Sequence, residues 1–172
     1  MLRKLSQAGS LLVAILIADI LTKRWALDAL AHGYTTEGLG VVPLTLAFNR
    51  GIAFGIGIPD LGRWIVVAAS IFVVLVLAGM LRDTRDDDLL RIFSIGLVSA
   101  GALGNLIDRV RWDQGVVDFI GPINLGFMHW PIFNVADMAI TTGAILLGIS
   151  LWREETVPGT SPAQAQVLDS GD

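Results

Sequence analysis

Four stretches of the chain stay apolar for about 20 residues each, the length a helix needs to cross a hydrocarbon core about 30 Å thick. They run from Leu11 to Leu30, Leu61 to Leu81, Leu89 to Ile107 and Phe133 to Trp152. The second is apolar on every face through I-V-V-A-A-S-I-F-V-V-L-V-L-A-G-M-L. That leaves no face for water, so a soluble amphipathic bundle is a poor solution for it. Composition agrees: of 172 residues, 53% are hydrophobic and 16% charged, against about 45–50% and about 25% in soluble domains. Four spans use most of the chain, so one membrane-embedded domain over residues 1–153 is expected, with no second soluble unit.

The first stretch has a second reading. Arg3 and Lys4 precede it and Ala29-Leu30-Ala31 resembles a signal-peptidase cut, but Asp19, Lys23 and Arg24 fall between the apolar run and that cut, a poor composition for a cleaved leader. A retained helix is expected. Lysine and arginine counts nearly tie across the loops, with Arg3, Lys4, Arg82, Arg85, Arg91 and Arg153 on one side and Lys23, Arg24, Arg50, Arg63, Arg109 and Arg111 on the other. Because several of the second group sit inside polar motifs, both termini are expected in the cytoplasm. Two extracytoplasmic connections follow, about His32 to Asp60 and about Asp108 to Ile132, with a short cytoplasmic loop from Arg82 to Asp88. In the first, V-V-P-L-T-L-A-F, N-R-G and I-A-F-G-I read as two β-rich runs around a turn, so this loop is expected to form a small sheet, with Pro43 marking an edge strand. The fold class is therefore an all-α membrane protein of four transmembrane helices carrying a small extracytoplasmic sheet. Residues 154–172, rich in Pro, Gly, Ser, Gln and Ala, are expected to be a disordered cytoplasmic tail without a catalytic part.

Several chemistries are excluded or weakened. The net charge is −4 and no basic stripe could neutralise a phosphate backbone, so nucleic acid is not an expected partner. There is no cysteine, which removes thiolate nucleophiles, disulfides and cysteine metal sites. His32 and His129 lie in loops without spaced acidic partners, and no H-E-x-x-H, G-x-S-x-G or Walker pattern occurs. Neither a metal nor another cofactor is expected.

Ionisable groups beside a membrane span carry an insertion penalty of about 2.5–3.5 kcal/mol at mid-bilayer, so each needs a partner or a purpose. Here they gather in five places: A-D-I-L-T-K-R-W around Asp19 and Lys23, F-N-R-G-I-A-F-G around Asn49, G-N-L-I-D-R from Gly104 to Arg109, V-V-D-F-I around Asp118, and F-N-V-A-D-M around Asn134 and Asp137. All five fall at the extracytoplasmic side, so they can share one site. Asp19 and Lys23, one helical turn apart, could either neutralise each other for insertion or join the site. Asn105 and Arg109 share a face with Gly101, Gly104 and Asp108, where the glycines would let helices approach closely. Asn134 could cap the fourth helix with Asp137 in its first turn, but capping leaves Asp118, an acid among apolar neighbours, unexplained.

Two carboxylates close together in a poorly solvated site cannot both ionise comfortably, so one stays protonated. That is the arrangement of aspartic proteases, in which one carboxylate takes a proton from the attacking water and the other supports the oxyanion. The pair titrates as a unit, and the helix N-terminus favours Asp137 as its ionised member. At this point the motifs resemble those of the lipoprotein signal peptidases, or signal peptidase II, from about Asp19 to Asp137. The resemblance implies four membrane helices with a β-cradle from the first loop, and a dyad of Asp118 and Asp137. It also implies a substrate-facing set of Asn49, Gly51, Phe54, Asn105, Arg109 and Asn134, with Asp19, Lys23, Gly104 and Asp108 in support. The implied substrate is a diacylglyceryl-modified prolipoprotein, cut just before the lipidated cysteine in the inner membrane by a monomer in contact with membrane lipid. Arg111, Trp112, Asp113 and Gln114 are assigned no role. A small transporter or proton relay and a structural membrane subunit are the rival readings; neither accounts for as many of the polar clusters.

Overall fold

The computed structural model describes residues 2–31, 42–50 and 61–156, without side chains for residues 61 and 154–156. Four helices dominate: α1 (Leu2–Ala29), α2 (Leu61–Asp83), α3 (Leu89–Arg111) and α4 (Val135–Thr156). Each is long and apolar enough to span a bilayer. Between them lie the short strands β1 (Leu44–Asn49), β2 (Val116–Ile120), β3 (Ile123–Asn124) and β4 (His129–Trp130). The expected four spans with a small sheet are thus present. Helix α1 starts nearer the N-terminus than Leu11, since its polar first turns remain helical. Helix α3 runs on to Arg111, so Asp108 sits in its last turn rather than opening the loop.

Helix α3 is the centre of the bundle and packs against α1, α2 and α4, while α4 also meets α1. Small residues make this possible. A Cβ at Gly101 would run into the Ala136 carbonyl and come within 2.7 Å of the Ile140 side chain, and one at Gly104 would lie 2.5 Å from Asp19 Oδ2. The outward faces of α2, including Phe72 and Leu75, stay exposed, as lipid-facing residues do when no water is there to exclude them.

The turn between α2 and α3 is held by side chains. Asp88 caps α3, accepting the Arg91 N–H at 3.0 Å. Buried Lys4 of α1 donates to the Arg82 carbonyl at 2.7 Å and to that of Thr84, closing the end of α2.

The sheet has a partner strand that the sequence did not mark. Strand β1 does come from the first loop, starting just after Pro43, but its partner is β2, antiparallel with Ala47 opposite Asp118 and Asn49 opposite Val116. The second β-rich run, residues 52–56, lies outside the described residues. The V-V-D-F-I segment supplies a strand because Val116, Val117 and Phe119 are buried and their backbone groups then need partners. Phe119 packs with Ala26, Leu30 and Leu44 and meets Trp25 edge-on at 6.2 Å. Gly115, at φ +97°, lets the chain enter β2 against the Asn49 backbone, where a Cβ would collide. On its other side β2 bonds Phe133: the Phe119 and Ile120 N–H groups donate to the Phe133 carbonyl at 3.0 and 2.9 Å, and the Phe133 N–H returns to the Ile120 carbonyl at 3.0 Å. The next residue, Asn134, begins the entry to α4.

Candidate active site

Asp118 is buried in the middle of β2. Because Phe133 is stitched to the same strand, Asn134 falls beside it. The Asn134 side chain is wholly buried, and its Nδ2 lies within donating distance of Asp118 Oδ1 at 2.7 Å, Asn105 Oδ1 at 3.1 Å and the Val117 carbonyl at 3.2 Å. Its other half faces α4: Asn134 Oδ1 accepts the Asp137 N–H at 2.8 Å, and Asp137 Oδ2 accepts the Asn134 N–H at 3.2 Å. This reciprocal pair is a capping box with Asp in the acidic position. The remaining Asp137 oxygen, Oδ1, accepts Asn105 Nδ2 at 2.7 Å. Two asparagines therefore tie the carboxylates of Asp118 and Asp137 into one network.

Lys23 stands behind that network. Its Nζ lies 2.8 Å from Asp19, 2.9 Å from Asp108 and 3.1 Å from Asn105 Oδ1, to which it donates. A buried ammonium is tolerable only with such partners. Both carboxylates do further work: Asp19 Oδ1 accepts the Ala136 N–H of α4 at 2.9 Å, and Asp108 Oδ2 accepts the Val117 N–H of β2 at 3.2 Å. The ion pair expected as one reading of Asp19 and Lys23 is present, and both residues also touch the network around Asn105 and α4.

Burial raises the Asp118 carboxyl to about 7, and the charge of Asp137 pushes in the same direction. Hydrogen bonds from the Asn49 and Asn134 side chains and the charge of Lys23 act against this without cancelling it. Asp118 can thus hold a proton near neutral pH beside another carboxylate.

Two grooves meet at Asp137. One, of about 720 Å³, lies between α4 and the β3–β4 hairpin, with Asn49, Trp130 and Phe133 among its walls. The other, of about 420 Å³, lies among α2, α3 and α4 and includes Asn105 and Arg109. Arg109 donates to the Asn105 carbonyl at 3.3 Å, while its buried Nε finds no acceptor among the described residues.

Of the residues singled out in the sequence, Asp19, Lys23, Asn49, Gly104, Asn105, Asp108, Arg109, Asp118, Asn134 and Asp137 come together here; Gly51 and Phe54 lie outside the described residues. Sequence reasoning misses Thr141 and Thr142, which line the larger groove. Thr141 lies one turn below Asp137, and that spacing is the available signal. It also misses Arg63, which donates to the Arg109 carbonyl at 2.6 Å and pairs with Asp113. No pattern in the sequence marks that contact. Among the described residues, no three His, Asp or Glu side chains converge as a metal site.

Fold and site together define a multi-pass membrane protein with a carboxylate pair at one end, Asp118 buried and Asp137 half-buried. The profile of the family described as signal peptidase (SPase) II matches residues 11–153. The lipoprotein signal peptidase of Oleidesulfovibrio alaskensis is 37% identical over 151 residues, covering 84% of this chain and 94% of that protein. That of Burkholderia thailandensis is 40% identical over 135 residues, covering 77% and 80%. A bacterial membrane enzyme solved by the in meso method at 2.3 Å superposes with a TM-score of 0.75 at 30% identity, covering 91% of this chain and 93% of that one. The chain belongs to the signal peptidase II family. It is a membrane aspartic peptidase.

Proposed function

We propose that this protein removes the signal peptide from diacylglyceryl-modified prolipoproteins, cleaving just before the lipidated cysteine, with Asp118 and Asp137 as the catalytic dyad. The observation that carries this reading is the network of Asn134 and Asn105, which binds both carboxylates while burial and the charge of Asp137 raise Asp118 to about 7. Asp118 enters the reaction with the proton, and Asp137 acts as the base. A water between them gives a proton to Asp137 as its oxygen bonds to the amide carbon, and Asp118 gives its proton to the carbonyl oxygen. The gem-diol then collapses: the C–N bond breaks, the nitrogen takes the proton held on Asp137, and a gem-diol hydroxyl returns its proton to Asp118.

The substrate is anchored by its own lipid, which holds the scissile bond near the depth of the carboxylates, so the bilayer supplies proximity. The two apolar grooves at Asp137 offer separate berths for lipid and signal helix. Extended residues flanking the cut can pair with the outer edge of β1, with Asn49 facing them. Arg109, with an unmatched buried N–H, is suited to a substrate carbonyl.

The test is cleavage of a diacylglyceryl-modified prolipoprotein by purified protein, with unmodified precursor as control. Asp118→Asn and Asp137→Asn should each lower cleavage at least about 100-fold, as loss of a proton-transfer group does (roughly 10²–10⁴-fold per group), while still inserting and melting cooperatively. Near wild-type cleavage by either variant excludes that residue from the dyad.

A further inference from the structure

A third cavity, of about 270 Å³, opens between α1 and α3 and has no lining residue in common with the grooves at Asp137. Its polar wall is Lys23, Arg24, Asp28, Asp108 and Arg111, with Trp112 beside them. Its apolar wall is Ile20, Leu27 and Ile107, side chains of two membrane-spanning helices. Ile20 and Ile107 lie deeper along their helices than the charged groups, which gather toward the end of the bundle where α1 and α3 finish. Tryptophan is characteristic of that level of a bilayer, and Trp25 and Trp112 are both exposed there.

The charges are not balanced among the described residues. Lys23 is taken up by Asp19 and Asp108. Arg24 and Arg111 make no ion pair among the described residues, although Asp28 lies one helical turn from Arg24. The Arg111 guanidinium rests over the Trp112 ring, 5.5 Å from its centroid, which orients it. Two uncommitted guanidinium groups suit a phosphodiester, whose oxygens accept from planar N–H forks. Asp28 would repel a purely anionic head group and would attract an ammonium.

We propose that this cavity binds the head group of an amine-bearing membrane phospholipid, its phosphate between Arg24 and Arg111, its ammonium at Asp28, and the start of an acyl chain along Ile20 and Ile107. The site is coupled to the carboxylate network, because Lys23 lines the cavity and donates to Asn105, which in turn donates to Asp137. A bound head group would therefore help to hold Lys23 where the network needs it.

Native mass spectrometry of the full chain, stripped of phospholipid in detergent, tests this directly. It is titrated with phosphatidylethanolamine, phosphatidylglycerol and phosphatidylcholine of matched acyl chains. One phosphatidylethanolamine should be retained in preference to either alternative. The double variant Arg24→Gln, Arg111→Gln should weaken that binding about 10-fold or more, and Asp28→Asn should remove the preference over phosphatidylglycerol. Soluble phosphoethanolamine at the same concentration should not displace the lipid. Equal retention of the three lipids, unchanged binding by the double variant, an intact preference in Asp28→Asn, or displacement by phosphoethanolamine would each overturn the proposal. All three side chains are exposed, and Asp28→Asn remains decisive even where the double variant loses its fold. Binding is read without substrate, so its outcome is independent of whether the carboxylate pair cleaves peptides.

Discussion

Asn134 has two N–H bonds on its side chain and three acceptors within reach, while its oxygen and backbone N–H are both engaged with Asp137. Such a residue orients the carboxylates and cannot itself exchange a proton, which suits a positioning role. In the sequence, capping by Asn134 and a chemical role for Asp137 look like competitors. They coexist because a capping box occupies only one Asp137 oxygen and leaves the other facing Asn105 and the grooves. The buried Asp118 yields a pH prediction with a definite sign. Its folded value of about 7 lies above the ordinary aspartate value of 3.8, so between these the folded chain holds a proton that the unfolded chain has released. Stability from this group is full below about 4, declines as pH rises toward 7, and is lost above it. Asp118→Asn has no charge to bury, so it should melt above wild type at pH 8 and with it at pH 4. A melting difference independent of pH would mean that Asp118 is not held protonated by its surroundings.

Among the elements, β2 matters most, because it bonds β1 on one side and Phe133 on the other and so sets Asp118 against the start of α4. Its identity as a strand was not legible. V-V-D-F-I is short, and its two pairing partners come from distant parts of the chain, so local periodicity could not distinguish it from an apolar loop. Strand β1 was legible because alternating, β-rich residues follow a proline, yet its pairing with β2 was not, because that partner lies about 70 residues further along the chain. Asn49 ends β1, hydrogen-bonds Asp118 and borders the larger groove. Asn49→Ala should reduce kcat/KM about 10- to 100-fold, with loss in kcat as well as KM, while Asn49→Asp should not restore it, because a second anion would face Asp118. Steady-state cleavage in proteoliposomes would measure this. Wild-type kinetics for Asn49→Ala would reduce this end of β1 to a turn.

At the scale of the whole molecule, four spans carry a site made at one end, and residues 155–172 contain neither an apolar run nor any of the five polar motifs. A chain ending after Glu154 should therefore insert and cleave lipidated precursor within about 2-fold of the full chain. A well-folded truncation that has lost activity would assign the tail a part in function. What the sequence by itself determined is the membrane class, the four helices and the membership of the polar cluster. Each is set by local quantities: the length of an apolar run, the cost of a charge beside lipid, and the spacing of side chains along one helix. Only the tertiary structure decided how those groups are joined: Asn134 between Asp118 and Asp137, Asp19 on the amide of Ala136, Lys23 among Asp19, Asp108 and Asn105. Those links cross from helix to helix and helix to strand, and they depend on glycines that bring α3 against its neighbours to within contact of their backbones, a distance that no single segment specifies.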